Sequence, residues 1–507
     1  EHLIGLAGAG ASSGMAMAHW EIQGWMILIL GWVFVPFYTR SMVYTMPEFL
    51  ERRYNPQSRT ILSVISLVSY VLTKVAVTVY AGGLVFQQVF GIKELWGIDF
   101  FWIAAIGLVV LTALYTIFGG MKSVLYTSVL QTPILLLGSL IILVLGFKEL
   151  GGWDEMMRVC GAVTVNDYGD TMTNLIRSND DANFPWLGAL IGSAIIGFWY
   201  WCTDQFIVQR VLSGKNEMEA RRGTIFGAYL KLLPVFLFLI PGMIAFALHQ
   251  KYIGAGGEGF LPMLANGTAN ADAAFPTLVA KLLPAGVKGL VVCGILAALM
   301  SSLASLFNSS AMLFTIDFYK RFRPETPEKK LVGIGQVATV VIVILGILWI
   351  PIMRSVGDVL YTYLQDVQSV LAPGIAAAFL LGICWKRTSA QGGMWGLIAG
   401  MVIGLTRLGA KVYYSNAGEV ADSTFKYLFY DMNWLFFCGW MFLFCIIVVI
   451  VVSLATKAPT AEKIQGLVFG TATKEQKAAT RASWNHWDII HTVIILAITA
   501  AFYWYFW

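Results

Sequence analysis

Residues 198–205 read Phe-Trp-Tyr-Trp-Cys-Thr-Asp-Gln, and Gln209 and Arg210 follow one helical turn later. The stretch joins aromatic rings to hydroxyl, carboxylate and amide groups inside a segment otherwise apolar enough to cross a bilayer. Hydrogen-bonding and ionisable groups at that depth are costly, so they mark function by default. Rings beside donors and acceptors suit a polyhydroxylated ligand such as a sugar. Its C–H faces pack on aromatics, and its hydroxyls need partners of both kinds.

A second polar face lies in 298–310, Ala-Leu-Met-Ser-Ser-Leu-Ala-Ser-Leu-Phe-Asn-Ser-Ser. Ala298, Ser301, Ser302, Ser305, Asn308 and Ser309 recur three or four apart, so a helix puts them on one face. Such a stripe either lets helices pack closely or offers oxygen ligands to a hard cation; the residues allow both. In 358–373, Tyr361, Gln365 and Gln368 share a face. A buried Gln donates and accepts, which fits a pair of sugar hydroxyls or a bond between helices. Lys231 sits about 13 Å from the nearest basic loop at 1.5 Å per residue, deep enough to strain snorkelling. It therefore needs a partner. Lys74 is another cation buried in an apolar run, with no evident role. Asp204 and Arg210 are too far apart for an i,i+4 pair. The histidines (His2, His19, His249, His486, His491) show no HExxH, which argues against a membrane metalloprotease. No nucleophile–base–acid set is visible, which argues against an enzyme.

The chain that must position these groups has 507 residues, 58% hydrophobic and 12% charged, against about 25% charged in soluble domains. It reads as an all-α polytopic membrane protein. The 50 glycines suit close helix packing in lipid. The net charge of +5 is spread out, unlike a nucleic-acid-binding arm. The cysteines (Cys160, Cys202, Cys293, Cys384, Cys438, Cys445) lie mostly in apolar spans without CxxC spacing and read as buried thiols.

Runs of about 20 apolar residues predict spans at 3–17, 20–38, 61–90, 99–117, 124–147, 186–208, 223–248, 285–316, 331–353, 358–383, 391–410, 427–455 and 488–506. They form one transmembrane domain over 1–507. Its first helix is partial, as if the chain were N-terminally truncated within it. Alternate loops are basic: those with Arg40 to Arg59, Lys122, Arg210 to Arg222, Lys320 to Lys330, Lys386 and Arg387, and Lys457 to Arg481. The positive-inside rule makes these cytoplasmic, including the loop 456–485, and puts the C-terminus outside. The acidic loop 149–185 falls on the outer side. This hydropathy frame leaves Glu21 at the outer membrane edge, where a solvated carboxylate is the plainer reading.

Several motifs then converge: Tyr44-Thr45-Met46-Pro47-Glu48-Phe49, Gly119-Gly120, Tyr200 to Gln205, Gln209-Arg210, Gly227 to Pro234, Ser301 to Asn308, Phe314-Thr315 and Trp385-Lys386-Arg387. With them the chain resembles the sodium:solute symporter family, in particular its sodium–glucose cotransporter group, over nearly its whole length. The resemblance implies a LeuT-like core of inverted five-helix repeats with extra C-terminal helices, in the plasma (inner) membrane. It implies sodium-coupled symport of a monosaccharide such as glucose or galactose. The implied sugar contacts are His2, Glu21, Lys231 and Gln365, with Tyr200 closing the pocket on the inner side and Trp201 its neighbour. This places Glu21 in a deep vestibule rather than at an edge. The implied sodium ligands are the Ala298 carbonyl, Ser301 and Ser302, completed by carbonyls of the first core helix upstream of this chain. Two departures stand out. Ala304 replaces a Thr found in two-sodium relatives, which suggests one sodium per cycle. Thr127-Ser128 replaces a Thr-Asp thought to assist sodium on the inner side. Myo-inositol or another small polar solute remains an alternative substrate. A solute sensor and a channel are the class-level rivals.

Overall fold

The computed structural model describes residues 2–41, 43, 45–264, 267–356, 359–416 and 421–507; the side chains of 115, 117–128, 130, 131 and 354–356 are outside it. Among the described residues, eleven helical runs are long and apolar enough to cross a bilayer. The first of these, His2–Ser41, is two segments: α1 (2–13) and α2 (18–41). Gly14, with φ +64°, turns the chain between them. The others are α3 Pro56–Phe90, α4 Phe100–Leu150, α5 Trp186–Thr203, α6 Glu217–Gly254, α7 Ala285–Phe322, α8 Glu328–Val356, α9 Leu360–Cys384, α10 Ala390–Asn416, α11 Trp434–Ala455 and α12 His486–Tyr505. The only strands among these residues are a two-residue pair, Glu94–Leu95 with Ile98–Asp99.

Hydropathy located the spans, with one topological difference. The segments expected at 99–117 and 124–147 are parts of one continuous helix, Phe100–Leu150, so the basic loop expected at Lys122 is corrected to helix. The residues between them include Gly119-Gly120 but no proline, and the helix carries its single proline, Pro133, further on. Glycine weakens a helix by about 1 kcal/mol; only proline removes a backbone donor.

The first two helices share one partner. Helix α1 packs on 240–254 of α6, and 24–29 of α2 packs on 217–234. The α1 crossing is backbone to backbone: a methyl on Gly242 would overlap the Ala7 carbonyl oxygen. Helices α9, α10 and α11 form a second packed group. The long loop 162–185 lies over the α1–α2 turn, where the Met15 N–H donates to the Met172 carbonyl at 2.8 Å.

Two of the cations read as loop charge are fully buried. Arg53 donates to the carbonyls of Gly382 (2.7 Å) and Trp385 (3.1 Å), satisfying the C-terminal end of α9. Arg221 pairs with Glu217 at 2.7 Å and donates to Ser483. It thereby ties the loop 456–485 to α6. The cysteine expectation is partly corrected. Cys160, Cys202, Cys438 and Cys445 are buried, but Cys293 and Cys384 are exposed on helix surfaces. An apolar span has a lipid-facing side as well as a packed one.

Asp272, in the loop between α6 and α7, is buried, and both its oxygens accept from the Leu360 N–H, at 3.2 and 3.1 Å. It caps the start of α9 from a distant part of the chain. Burial pushes its carboxyl up to about 7, with the Leu360 bond pulling the other way. The unfolded chain holds that proton only below about pH 4. This contribution to stability is therefore complete below pH 4 and lost as pH rises through 7. The melting temperature of purified protein should fall between pH 5 and 8, and the Asp272→Asn variant should flatten the profile.

Candidate functional site

Three of the elements around the site are interrupted where they meet the others. Helix α2 stops at Glu21, leaves Ile22 and Gln23 out of the helix, and resumes at Gly24. Helix α5 widens into a π-helical turn over Phe198–Thr203, then breaks at Asp204, which starts the short helix Gln205–Leu212 by accepting from the Phe206 N–H. Helix α6 carries Pro234 just after Lys231 and is π-helical over Val235–Leu239. π-Bulges and broken helices recur at functional sites because they free backbone and redirect side chains.

These interruptions surround one small cavity of about 60 Å³, lined by residues of α1, α2, α5, α6 and α9. His2, Tyr200, Trp201, Lys231 and Gln365 line it, and Glu21 anchors three of its walls. The structure thus brings together all six residues expected to contact substrate. Glu21 is fully buried, so the hydropathy reading of a solvated edge carboxylate is corrected. Loop 162–185 and Trp434 cover what the linear frame left at an edge: Trp20 stacks on Trp434 at 5.4 Å.

Glu21 is the hub. One of its oxygens accepts from Lys231 Nζ at 2.6 Å and lies 3.1 Å from His2 Nε2; the other accepts from the Tyr361 hydroxyl. Lys231 also sits 5.5 Å from the centroid of the Trp201 ring, a cation–π distance. The partner that Lys231 needed is thus 210 residues away in sequence. Tyr361, Trp20, Gln23 and Gln368 also border the cavity. Spacing had put Tyr361 and Gln368 on the Gln365 face. Nothing local marked Trp20 or Gln23, because their exposure to the cavity comes from the α2 break. Among the described residues, Trp20 Nε1, Gln23 Nε2 and Gln365 Oε1 are buried without a hydrogen-bond partner. Buried polar atoms normally find partners, and these three belong to residues that border the cavity.

Below Tyr200 lies a second buried ion pair. Lys74 donates to Asp204 Oδ2, and the Tyr70 hydroxyl donates to Oδ1 at 2.9 Å. The Lys74 ammonium lies 5.0 Å from the Tyr200 centroid and 4.2 Å from that of Phe206. Arg210 is not the partner of Asp204; it sits over the Phe206 ring at 4.5 Å.

The expected sodium residues lie on α7, away from the small cavity. Ala298 and Ser301 are half-buried, and Ser302 is exposed. Ser305 donates to the Ser301 carbonyl at 2.9 Å. Helix α7 packs on α4, on α8, and on the segments carrying Lys74 and 205–212. Thr127 and Ser128 have side chains outside the described residues, so that departure has no structural account.

Residues 1–400 match the model of the sodium:solute symporter family. The chain belongs to the sodium:solute symporter family. It is 36% identical to the sodium/myo-inositol cotransporter 2 of Homo sapiens, over 93% of this chain and 70% of that one. It is 38% identical to the sodium/glucose cotransporter 1 of Ovis aries, over 90% of this chain and 70% of that one. Among solved structures it resembles a substrate-bound, outward-open Na+-coupled sialic acid symporter, with a TM-score of 0.67 and 20% identity. That match covers 90% of this chain and 87% of the other; at this identity the likeness bears on the fold. The fold is LeuT-like, as the resemblance implied. The protein is a multi-pass membrane symporter coupled to sodium, not an enzyme.

Proposed function

We propose that this symporter moves a monosaccharide of the glucose or galactose type together with sodium, by alternating access. The observation that carries this reading is the convergence of His2, Tyr200, Trp201, Lys231 and Gln365 on one cavity, with Glu21 tied to its walls and Gln365 Oε1 unpartnered among the described residues. Lys231 and His2 donate to hydroxyl oxygens, Glu21 accepts from hydroxyls, Gln365 does both, and Tyr200 and Trp201 supply ring faces. A bond to a charged group is stronger than a neutral one, and a solute lacking the hydroxyls leaves these groups unpaired, which sets selectivity. A cavity of about 60 Å³ holds only a few waters, at roughly 10–15 Å³ each, so its walls part when a sugar enters.

Sodium binds at the Ala298 carbonyl, Ser301 and Ser302, together with carbonyls of the first core helix. The apolar Ala304 fits one ion per cycle. One charge entering is worth about 2.3 kcal/mol per 100 mV, enough to concentrate a neutral sugar about fifty-fold at 1.4 kcal/mol per decade. The protein sits in the plasma (inner) membrane with its C-terminus outside. A second reading, a cyclitol such as myo-inositol, is favoured by the similarity to a sodium/myo-inositol cotransporter.

Uptake of labelled glucose, galactose and myo-inositol into proteoliposomes, with sodium, lithium or potassium outside, tests this. Accumulation should require sodium and favour one substrate. Uptake indifferent to the cation would sink the proposal, and equilibration without accumulation would point to a channel.

A further inference from the structure

Gln23 occupies an unusual place. It lies in the two-residue gap between the halves of α2, beside the hub Glu21, and is 3% exposed. It borders the cavity, and its Nε2 has no partner among the described residues. Across the cavity wall, Gly197 of α5 lacks a side chain where the Gln23 amide arrives. A methyl built on Gly197 would overlap the amide oxygen of Gln23. The glycine is the notch that lets this amide reach the cavity. A buried amide donor with no partner costs stability, and a helix break next to it leaves backbone free to adjust. That cost is offset when a bound group accepts the bond.

We infer that Gln23, seated in the Gly197 notch, is a specificity-determining contact. Its amide donates to one hydroxyl oxygen of the transported polyol and distinguishes solutes that carry that hydroxyl from those that lack it. The inference rests on the polyol reading above and adds a position to it. The hub residues bind the ligand through charge. Gln23 adds a neutral amide beside them, where orientation of a hydroxyl matters more than charge. A neutral donor suits discrimination: its bond is modest when made, and its loss leaves a buried group unpaired.

The test uses the full chain in proteoliposomes, with glucose, galactose, myo-inositol and monodeoxy analogues of whichever is transported. For native protein, one deoxy position should carry a penalty in apparent KM of about tenfold, the scale of one hydrogen bond at 1.4 kcal/mol per decade. In Gln23→Ala the parent substrate should lose about tenfold in KM with little change in maximal rate, and the penalty at that one position should vanish while the others persist. Gly197→Ala, which pushes the amide aside, should give the same pattern, and the double variant should be no worse than Gln23→Ala. Gln23→Leu supplies a variant of similar volume should the smaller one fold poorly. An equal KM shift for every analogue, or additive effects of the two sites, would overturn the inference alone. Native protein that accumulates none of these polyols with sodium would overturn the polyol reading and this inference with it.

Discussion

Glu21→Gln should abolish sugar accumulation and lower thermal stability together. The carboxylate is fully buried and holds Lys231, His2 and Tyr361 at once. Neutralising it leaves the Lys231 ammonium without its counter-charge inside the bilayer. Removing one member of a buried pair typically costs about 3–5 kcal/mol. At 1.4 kcal/mol per decade the upper end is more than a thousandfold in any equilibrium that depends on the arrangement. Thermal melts and uptake separate the two consequences. Adding Lys231→Met to Glu21→Gln removes the stranded charge, so the melt should recover. Uptake should not, because the groups proposed to bind the sugar are gone. A double variant that regains transport would show that the pair is structural only.

The second large effect is expected at Lys74 and Asp204. Their side chains are 4% and 3% exposed, and they join the middle of α3 to the break after α5. Asp204→Asn leaves Lys74 uncompensated, again at a cost of about 3–5 kcal/mol. It also loosens the Tyr70 bond and the start of helix Gln205–Leu212. Adding Lys74→Met to Asp204→Asn should restore most of the melting temperature, since the stranded charge is removed while the Asn oxygen still accepts from Tyr70 and from the Phe206 N–H. Sodium-driven uptake of the single and double variants then shows whether the pair is needed for the transport cycle. Equal melting temperatures for the single and double variants would show that the ion pair is not what holds this junction.

Among the residues proposed to contact substrate, Gln365 and Lys231 were legible because depth and spacing are local quantities. Each is a polar group in an apolar run, and helical periodicity fixes which neighbours share its face. Tyr361 was legible as a face but not as a donor to Glu21, since its partner lies 340 residues away. Glu21 misled hydropathy because burial by a remote loop and by Trp434 leaves no trace in the local sequence. Gln23 was silent for the same reason. The merged helix Phe100–Leu150 shows the converse limit: hydropathy scores apolarity along the chain and is nearly blind to whether a short polar stretch turns or continues.

The amino-acid order alone settled that this chain crosses a membrane many times, where most crossings lie, and which polar groups sit deep inside apolar runs. Those are properties of a segment and its solvent, and the cost of burying a charge needs no neighbour to be computed. Only the folded arrangement decided which group answers which. Lys231 finds Glu21 across 210 residues, Lys74 finds Asp204 across 130, and the Gln23 amide enters a notch left by Gly197. A hydrogen bond or ion pair exists only within a few ångströms, whatever the separation along the chain, and chain separation is what a linear reading sees.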